Sequence, residues 1–170
     1  SMLRMIRTRD VASIIEEIRS LYVTYGYTGF MFYDDELNVN KDVLSLMRQL
    51  IALQAELGTE FSLRGFIKSE LFKEELAQAM YAAGFRWILV GFESGDERIL
   101  TNINKRATRA ENSRAMAIAK KYGIKVKALM SIGHPGESET SVLNTRDWLL
   151  EARPDDFDVT IITTYPGTPY

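Results

Sequence analysis

Two patterns of apolar and polar residues follow one another repeatedly along this chain. Longer stretches repeat their apolar side chains every three or four positions, as amphipathic helices do. Between them lie short, continuously apolar stretches, which are typical of parallel strands buried on both faces. The pattern predicts an α/β domain with the order α(βα)₄β, in which right-handed crossovers make all five strands parallel.

Glycine stops and helix caps set the predicted boundaries. Thr108 and Glu111 form a capping-box pattern that opens one of the helices. The predicted helices are Val11–Tyr25, the segment from the Asn40 cap to Leu57, the segment from Ser69 to the Gly84 stop, Asp96–Ile103, Thr108–Tyr122 and Ser138–Ala152. The predicted strands are Gly29–Asp34, Glu60–Gly65, Arg86–Phe92, Lys125–Ile132 and Phe157–Thr163.

The composition fits one globular domain over residues 1–170, with 46% hydrophobic and 26% charged residues. A net charge of -2 gives no reason to expect nucleic acid or an anionic membrane as a partner. No apolar run reaches the roughly 18 residues that a membrane-spanning helix needs. A cytoplasmic location is therefore the default expectation.

The chain has no cysteine and one histidine. This excludes disulfides, thiolate zinc sites, cysteine nucleophiles and multi-histidine metal sites within these residues. Ser1 before Met2 is typical of a residue left by an expression tag. The chain also starts on a helix and stops on a strand, which indicates a fragment of a longer protein.

Two glycine-bearing acidic segments each lie where a predicted strand turns into a helix. Residues 91–95 (GFESG) end the third strand, and residues 133–137 (GHPGE) follow the fourth. The carboxyl ends of parallel strands meet the amino ends of the following helices at one edge of the sheet. We therefore expect a ligand site at this edge.

Four stretches together resemble the core of radical SAM enzymes, particularly those found with an upstream cobalamin-binding domain. They are residues 32–37 (FYDDEL), 83–95 (AGFRWILVGFESG), 122–137 and 163–169 (TTYPGTP). The resemblance covers nearly the whole chain, from Thr8 to Tyr170. It implies a partial TIM-like (βα)₆ barrel whose first strand is missing, so that this chain supplies the second to sixth strands with outer helices.

The resemblance also implies a chemistry. In that family a Cys-x-x-x-Cys-x-x-Cys loop after the first strand holds a [4Fe-4S] cluster. The cluster reductively cleaves S-adenosylmethionine to start radical chemistry. The parent protein would then be an oxidoreductase or methyltransferase that needs a reductant, a substrate not identified by the sequence, and in some members cobalamin. The chain itself lacks the cluster loop, so we expect it to be inactive alone and to provide no metal ligands.

By the same resemblance, Glu93 reaches the ribose or the amino end of S-adenosylmethionine. Gly95 would let backbone approach the ligand, and Ser94 is either a further contact or a helix cap. The segment Ser131, Ile132 and Gly133 resembles the turn whose backbone flanks the adenine.

Two other residues of that turn have simpler interpretations. His134 replaces a residue that is commonly apolar in the family, and we interpret it as a loop residue rather than a catalytic one. Glu137 is interpreted as a helix-start residue.

Three residues are candidates for catalysis. Asp34 and Asp35 end the first predicted strand, where a carboxylate pair could bind a divalent cation or transfer protons, or could simply form a turn. Arg64 shares a strand face with Ser62 and could bind the carboxylate of the cofactor or pair with Glu93.

Three further sets of residues lie on or near the other strands of the predicted sheet. Lys127 has the same interpretation as Arg64. Thr160, Thr164 and Tyr165 either line the substrate side or finish the sheet edge. The apolar strand edge at 29–33 is expected to be exposed and to promote self-association.

Two alternatives remain at this stage. A degenerate barrel could act as a non-redox module that binds a ligand or a partner. An ordinary barrel enzyme with a phosphate site at its later strands is the weaker alternative.

Overall fold

A computed structural model describes residues 8–163 and shows one five-stranded sheet with helices packed against it. The strands are β1 (Gly29–Phe32), β2 (Ser62–Ile67), β3 (Phe85–Glu93), β4 (Lys125–Ile132) and β5 (Asp156–Ile161). The helices are α1 (Val11–Tyr25), α2 (Val43–Leu57), α3 (Glu74–Ala82), α4 (Glu97–Asn102), α5 (Arg109–Lys121) and α6 (Glu139–Ala152), with a 3₁₀ turn at Leu37–Val39.

All strand pairs are parallel, and their order in the sheet is their order in the chain. This confirms the α/β class and the parallel sheet that the sequence predicts. Each crossover carries a helix, which is how successive parallel strands are connected in this class of fold. β1 and β5 are the two edge strands among the described residues. The self-association predicted for the β1 edge stays a prediction.

The hydrophobic core lies between the helices and one face of the sheet. Ile88, Val90 and Phe92 on β3 are at most 1% exposed, and alternate residues of β2 and β4 are buried beside them. Side chains on successive strand residues point to opposite sides, so the residues between these belong to the other face. We call that other face the open face, and it carries Arg64, Trp87, Leu89, Lys127 and Leu129.

Local capping explains where several helices begin. The Thr108 side chain accepts a hydrogen bond from the Glu111 amide, and the Glu111 carboxylate accepts one from the Thr108 amide. This confirms the predicted capping box. α1 and α2 both end at a glycine in the left-handed conformation, as the sequence predicts.

The third helix starts later than predicted. Ser69 is buried and its hydroxyl donates to the Asn112 side chain on α5, so it does not cap a helix. α3 begins only at Glu74.

None of the helices within residues 8–163 combines the length and the apolar character that a membrane-spanning helix needs.

Candidate functional site

Glu93 ends β3 in an unusual backbone conformation. Its φ is 65°, in the left-handed region that residues other than glycine rarely adopt. The register between β3 and β4 also shifts between Gly91 and Glu93. Such local strain persists when the surrounding structure enforces it, and it concentrates at functional sites. The Glu93 side chain lies back over Gly91. If Gly91 carried a Cβ atom, that atom would be 2.9 Å from the Glu93 Oε1 atom.

The Glu93 carboxylate is held by one residue on each side. Lys105 places its Nζ atom 3.4 Å from Oε1, and the Ser131 hydroxyl donates to Oε2 over 2.8 Å. Lys105 follows α4, and Ser131 is the penultimate residue of β4. The Glu93 side chain is 33% exposed and that of Lys105 is 24% exposed. A carboxylate and an ammonium group therefore lie side by side at the carboxyl edge, both reachable from solvent.

The turn after β4 completes this edge. Gly133 has a φ of 91°, which favours glycine, and its amide donates to the Glu137 carboxylate. Glu137 thus helps to fix the turn, in keeping with its interpretation as a helix-start residue, and the helix cap itself is Ser138. Gly133 is exposed and presents bare backbone at the same edge, two residues after Ser131. We call Glu93, Lys105, Ser131, Ile132 and Gly133 the carboxyl-edge site.

His134 lies in the turn after β4, as predicted, and is buried there. It is 6% exposed, and its Nε2 atom lies 2.7 Å from the Ser131 hydroxyl oxygen. The imidazole is thus connected to Glu93 through Ser131. Its position in the turn is as predicted, but its burial was not predicted.

Ser94 and Gly95 both contact α6. The backbone contact with a ligand that the sequence predicts for Gly95 stays a prediction. The Ser94 side chain is 1% exposed, and its hydroxyl lies 2.9 Å from that of Thr145. The Gly95 amide donates to the same Thr145 hydroxyl over 3.0 Å. The predicted side-chain contact between Ser94 and a ligand at the carboxyl edge is therefore not supported, because that side chain points into the protein.

The cap of α4 is Asp96 and not Ser94. Its carboxylate accepts hydrogen bonds from the Ile99 amide and from the Asn144 side chain, at 3.0 and 2.7 Å. Burial acts to raise the pKa of Asp96, but these hydrogen bonds outweigh it and hold the pKa below its usual value. Asp96 thereby fastens the segment after Glu93 to α6.

We expect Asp96→Asn to lower the free energy of unfolding by about 1 kcal/mol at pH 7, because the hydrogen bond from Asn144 to a carboxylate is lost. Since the pKa of Asp96 is lower in the folded chain, its contribution is present above the unfolded value and disappears as the pH falls. The difference between the variant and the wild type should therefore narrow below about pH 4. Urea denaturation at several pH values measures it, with the exposed Asp35→Asn as control. A difference that stays constant with pH would contradict this role.

Asp34 and Asp35 lie after β1 and are exposed. No group of three or more acidic, histidine or cysteine residues within 8–163 could hold a metal ion. Within the described residues the pair is not part of a larger acidic cluster, and the cation binding predicted for it stays a prediction. Their predicted roles near a substrate stay predictions.

Arg64 does not pair with Glu93, contrary to one of its two predicted roles. Its register partner on β3 is Trp87, six residues before Glu93, so the two lie about 20 Å apart along the strands at ~3.3 Å per residue. Glu93 pairs with Lys105 instead. Arg64 is exposed on the open face near the amino end of β2. This position is also distant from the carboxyl edge where a cofactor contact was expected.

Lys127 pairs with two aspartates instead of with Glu93, contrary to one of its two predicted roles. The predicted contact with the carboxylate of the cofactor stays a prediction. The Lys127 Nζ atom lies 2.9 Å from Asp158 and 3.1 Å from Asp156 on the neighbouring strand. These hydrogen bonds raise the pKa of Lys127. Thr160 lies on β5, whereas Thr164 and Tyr165 lie outside the described residues.

Sequence reasoning missed Lys105 as a member of the site. It lies in a loop without a pattern of its own, and only the folding of α4 against the sheet brings it beside Glu93. The capping box that opens α5 was the available signal, since it ends the connection from α4 and so places Lys105 in a short loop.

Comparison with known proteins decides the family. The family model of the radical SAM superfamily matches residues 1–149. The chain belongs to the radical SAM superfamily. This confirms the resemblance noted from the sequence.

Individual relatives and a solved structure agree with this assignment. An uncharacterised methyltransferase of Pyrococcus horikoshii is 31% identical over 166 residues, which are 95% of this chain and 35% of that protein. The bacteriochlorophyllide d C-12(1)-methyltransferase of Chlorobaculum tepidum is 26% identical over 167 residues, 96% of this chain and 36% of that protein. The chain thus spans about a third of the length of these relatives.

The fold also matches a solved structure closely. The radical S-adenosylmethionine methyltransferase TsrM from Kitasatospora setae, with cobalamin and a [4Fe-4S] cluster bound, superposes with a TM-score of 0.83. The match covers 91% of this chain and 31% of TsrM, at 21% identity. It confirms that the radical SAM half-barrel is the fold of this chain.

The iron–sulfur cluster of the family does not fit the residues of this chain. Cluster binding needs cysteine thiolates, and these 170 residues contain none. The carboxyl-edge site offers instead one carboxylate, one ammonium group and glycine backbone. These groups suit an organic zwitterion and not an iron ligand set.

Proposed function

We propose that the carboxyl-edge site binds S-adenosylmethionine, and that this chain is the cofactor-binding half-barrel of a radical SAM enzyme. The observation that carries the proposal is the arrangement of Glu93 between Lys105 and Ser131, with the exposed backbone of Gly133 two residues beyond Ser131. Membership of the radical SAM superfamily supports it. So does the position of the site, since ligands of parallel α/β folds bind at the carboxyl ends of the strands.

The charges of the site complement those of the proposed ligand. The methionyl end of S-adenosylmethionine carries an ammonium group and a carboxylate, and its ribose carries two hydroxyls. The Glu93 carboxylate can accept hydrogen bonds from the ammonium group or from the hydroxyls. The Lys105 ammonium group can bind the carboxylate as a point charge. Glu93 and Lys105 are already paired in the free protein. The site therefore offers one charge of each sign and has no net charge of its own.

The turn after β4 suits the flat end of the ligand. Ser131, Ile132 and Gly133 follow one another at the end of the strand, and Gly133 has no side chain to block the approach of a ring. The Glu137 carboxylate holds the Gly133 amide and so fixes the path of the turn. A preformed turn loses little conformational freedom when the ligand binds, which favours affinity.

The chemistry of the whole enzyme needs more than this chain. The iron–sulfur cluster of the family would supply reductive chemistry, and these 170 residues contain no cysteine to hold it. The residues described above bind and orient the cofactor, and the proposal gives them no redox role. We further propose that the parent is a methyltransferase or an oxidoreductase, since relatives of this chain are named as methyltransferases.

Isothermal titration of the purified chain with S-adenosylmethionine tests the proposal. We expect saturable binding of one molecule per chain, with weaker binding of L-methionine and of adenosine, because each contacts only one end of the site. S-adenosylhomocysteine, which keeps both ends, should bind more tightly than either half. Absence of binding by all four compounds at millimolar concentration would refute the proposed function.

Arg64→Gln provides a further test of where the ligand binds. We expect the affinity for S-adenosylmethionine to change by less than about twofold, because the Debye length at physiological salt is ~8 Å and Arg64 lies well beyond it. The same titration measures the effect. A tenfold loss would place the ligand on the open face near the amino end of β2, and would contradict the carboxyl-edge site.

A further inference from the structure

Three side chains form a continuous line of hydrogen bonds that runs from the buried turn to the carboxyl edge. The His134 Nε2 atom lies 2.7 Å from the Ser131 hydroxyl oxygen, and that hydroxyl lies 2.8 Å from the Glu93 Oε2 atom. His134 and Ser131 are 6% and 3% exposed, whereas Glu93 reaches solvent. The line therefore connects an interior group to the group proposed to contact the ligand.

Counting protons gives each hydrogen bond a direction. A carboxylate only accepts hydrogen bonds, so the Ser131 hydroxyl donates its single proton to Glu93. The Ser131 oxygen then has only lone pairs left to offer to the imidazole. His134 must therefore carry a proton on Nε2 and donate it to Ser131.

This direction gives His134 an effect at a distance. By donating to Ser131, His134 prevents the hydroxyl from turning away and keeps its proton directed at Oε2 of Glu93. Lys105 holds the other oxygen, Oε1. Both oxygens of the carboxylate are thus fixed before any ligand arrives, on a backbone that is itself held at a φ of 65°.

We propose that His134 is a positioning residue, which orients the Glu93 carboxylate through the Ser131 hydroxyl and so prepares the edge for the ligand. The part that concerns ligand affinity rests on the proposed function. The alternative is that His134 serves only the structure of the turn. Ligand affinity would then follow the stability of the turn and would not depend on the Ser131 hydroxyl.

The hydrogen bonds can be tested without any ligand, because His134 is the single histidine of the chain. Labelling the protein with ring-¹⁵N histidine gives the NMR signals of one imidazole. We expect the Nε2–H tautomer with a slowly exchanging Hε2 proton at neutral pH. Ser131→Ala should abolish that slow exchange, and Glu93→Gln should shift the ring signals, whereas Glu139→Gln on the exposed start of α6 should leave them unchanged.

The Nδ1–H tautomer in the wild type would overturn the proposal, since Nε2 would then have no proton to donate. Ring signals that ignore both Ser131→Ala and Glu93→Gln would overturn it as well. These outcomes do not depend on whether S-adenosylmethionine binds. They therefore separate a failure of this inference from a failure of the proposed function.

Titration with S-adenosylmethionine tests the effect on the ligand. We expect His134→Leu to weaken binding about three- to tenfold, the range for losing the prior ordering of one side chain. His134→Gln, whose amide can donate from nearly the same position as Nε2, should restore binding to within about twofold of the wild type.

A double-mutant cycle tests whether His134 affects ligand affinity through Ser131 or only through packing in the turn. In the Ser131→Ala background, His134→Leu should have no further effect on affinity, because the connection to Glu93 is already broken. Equal losses in both backgrounds would overturn the proposal. The proposal would also be overturned if the His134→Gln protein had the melting temperature of the wild type but did not recover its affinity for S-adenosylmethionine.

Discussion

Glu93→Gln is expected to weaken the binding of S-adenosylmethionine by about 10- to 100-fold. The substitution keeps the size of the side chain and removes its charge. Hydrogen bonds to a charged group contribute ~1.5–3 kcal/mol, roughly twice as much as bonds between neutral groups. The ion pair with Lys105 is lost together with them. Isothermal titration of the variant and the wild type under identical salt conditions measures the ratio of the two dissociation constants.

Glu139→Gln is the matched control for Glu93→Gln. The Glu139→Gln substitution also removes one negative charge at the same edge of the molecule. Glu139 is exposed in the first turn of α6 and has no part in the carboxyl-edge site. Its affinity should stay within about twofold of the wild type, since an isolated surface charge is screened by salt. If both variants lose affinity equally, the effect is one of overall charge, and Glu93 has no direct contact with the ligand.

Gly95→Ala is expected to lower the free energy of unfolding by about 2–3 kcal/mol, because the added methyl group has no room. Its Cβ would lie 2.6 Å from the Cβ atom of Trp148 and 2.9 Å from the Cα atom of Thr145. Neither atom is the flexible end of a side chain, so α6 itself would have to shift away from the segment after β3. Urea denaturation followed by tryptophan fluorescence measures the loss, since Trp148 is fully buried at this contact.

Gly29→Ala is the control for this prediction. Gly29 lies on the edge strand β1, and the nearest atom to its added Cβ would be 4.0 Å away, an ordinary contact distance. We expect a change of less than about 0.5 kcal/mol there. A Gly95→Ala protein as stable as the wild type would show that the loop after β3 and α6 are not packed as described.

The fold could be predicted where local chemistry decides it. β4 runs from Lys125 to Ile132 as its apolar run predicts, and α5 begins at the predicted capping box. Ser69 shows the limit of such reasoning. A serine before an apolar helical pattern suggests a cap, but here a partner 43 residues away in the chain takes its hydroxyl. The sequence pattern contains no information about that partner.

The candidate site was predicted only in part, for a related reason. Strand ends are visible in the sequence, so Glu93, Ser131 and Gly133 could be placed at one edge. The alternation of side chains along a strand predicts which face of the sheet a residue occupies. Which residue of the neighbouring strand it lies beside depends on the register of the two strands. Arg64 lies on the predicted face, and the register puts it level with Trp87 rather than with Glu93. Lys105 and His134 reach the site only through the folding of loops.

Amide NMR spectra of the ¹⁵N-labelled chain during titration with S-adenosylmethionine test the central claim most directly, because they locate a ligand even when it binds weakly. The account predicts that the shifts that change with ligand cluster in residues 91–95, at Lys105 and in residues 131–137. Changes centred instead on the apolar groove between α6 and β5, which Leu149, Phe157 and Val159 line, would contradict the account. An unchanged spectrum at saturating ligand would contradict it as well.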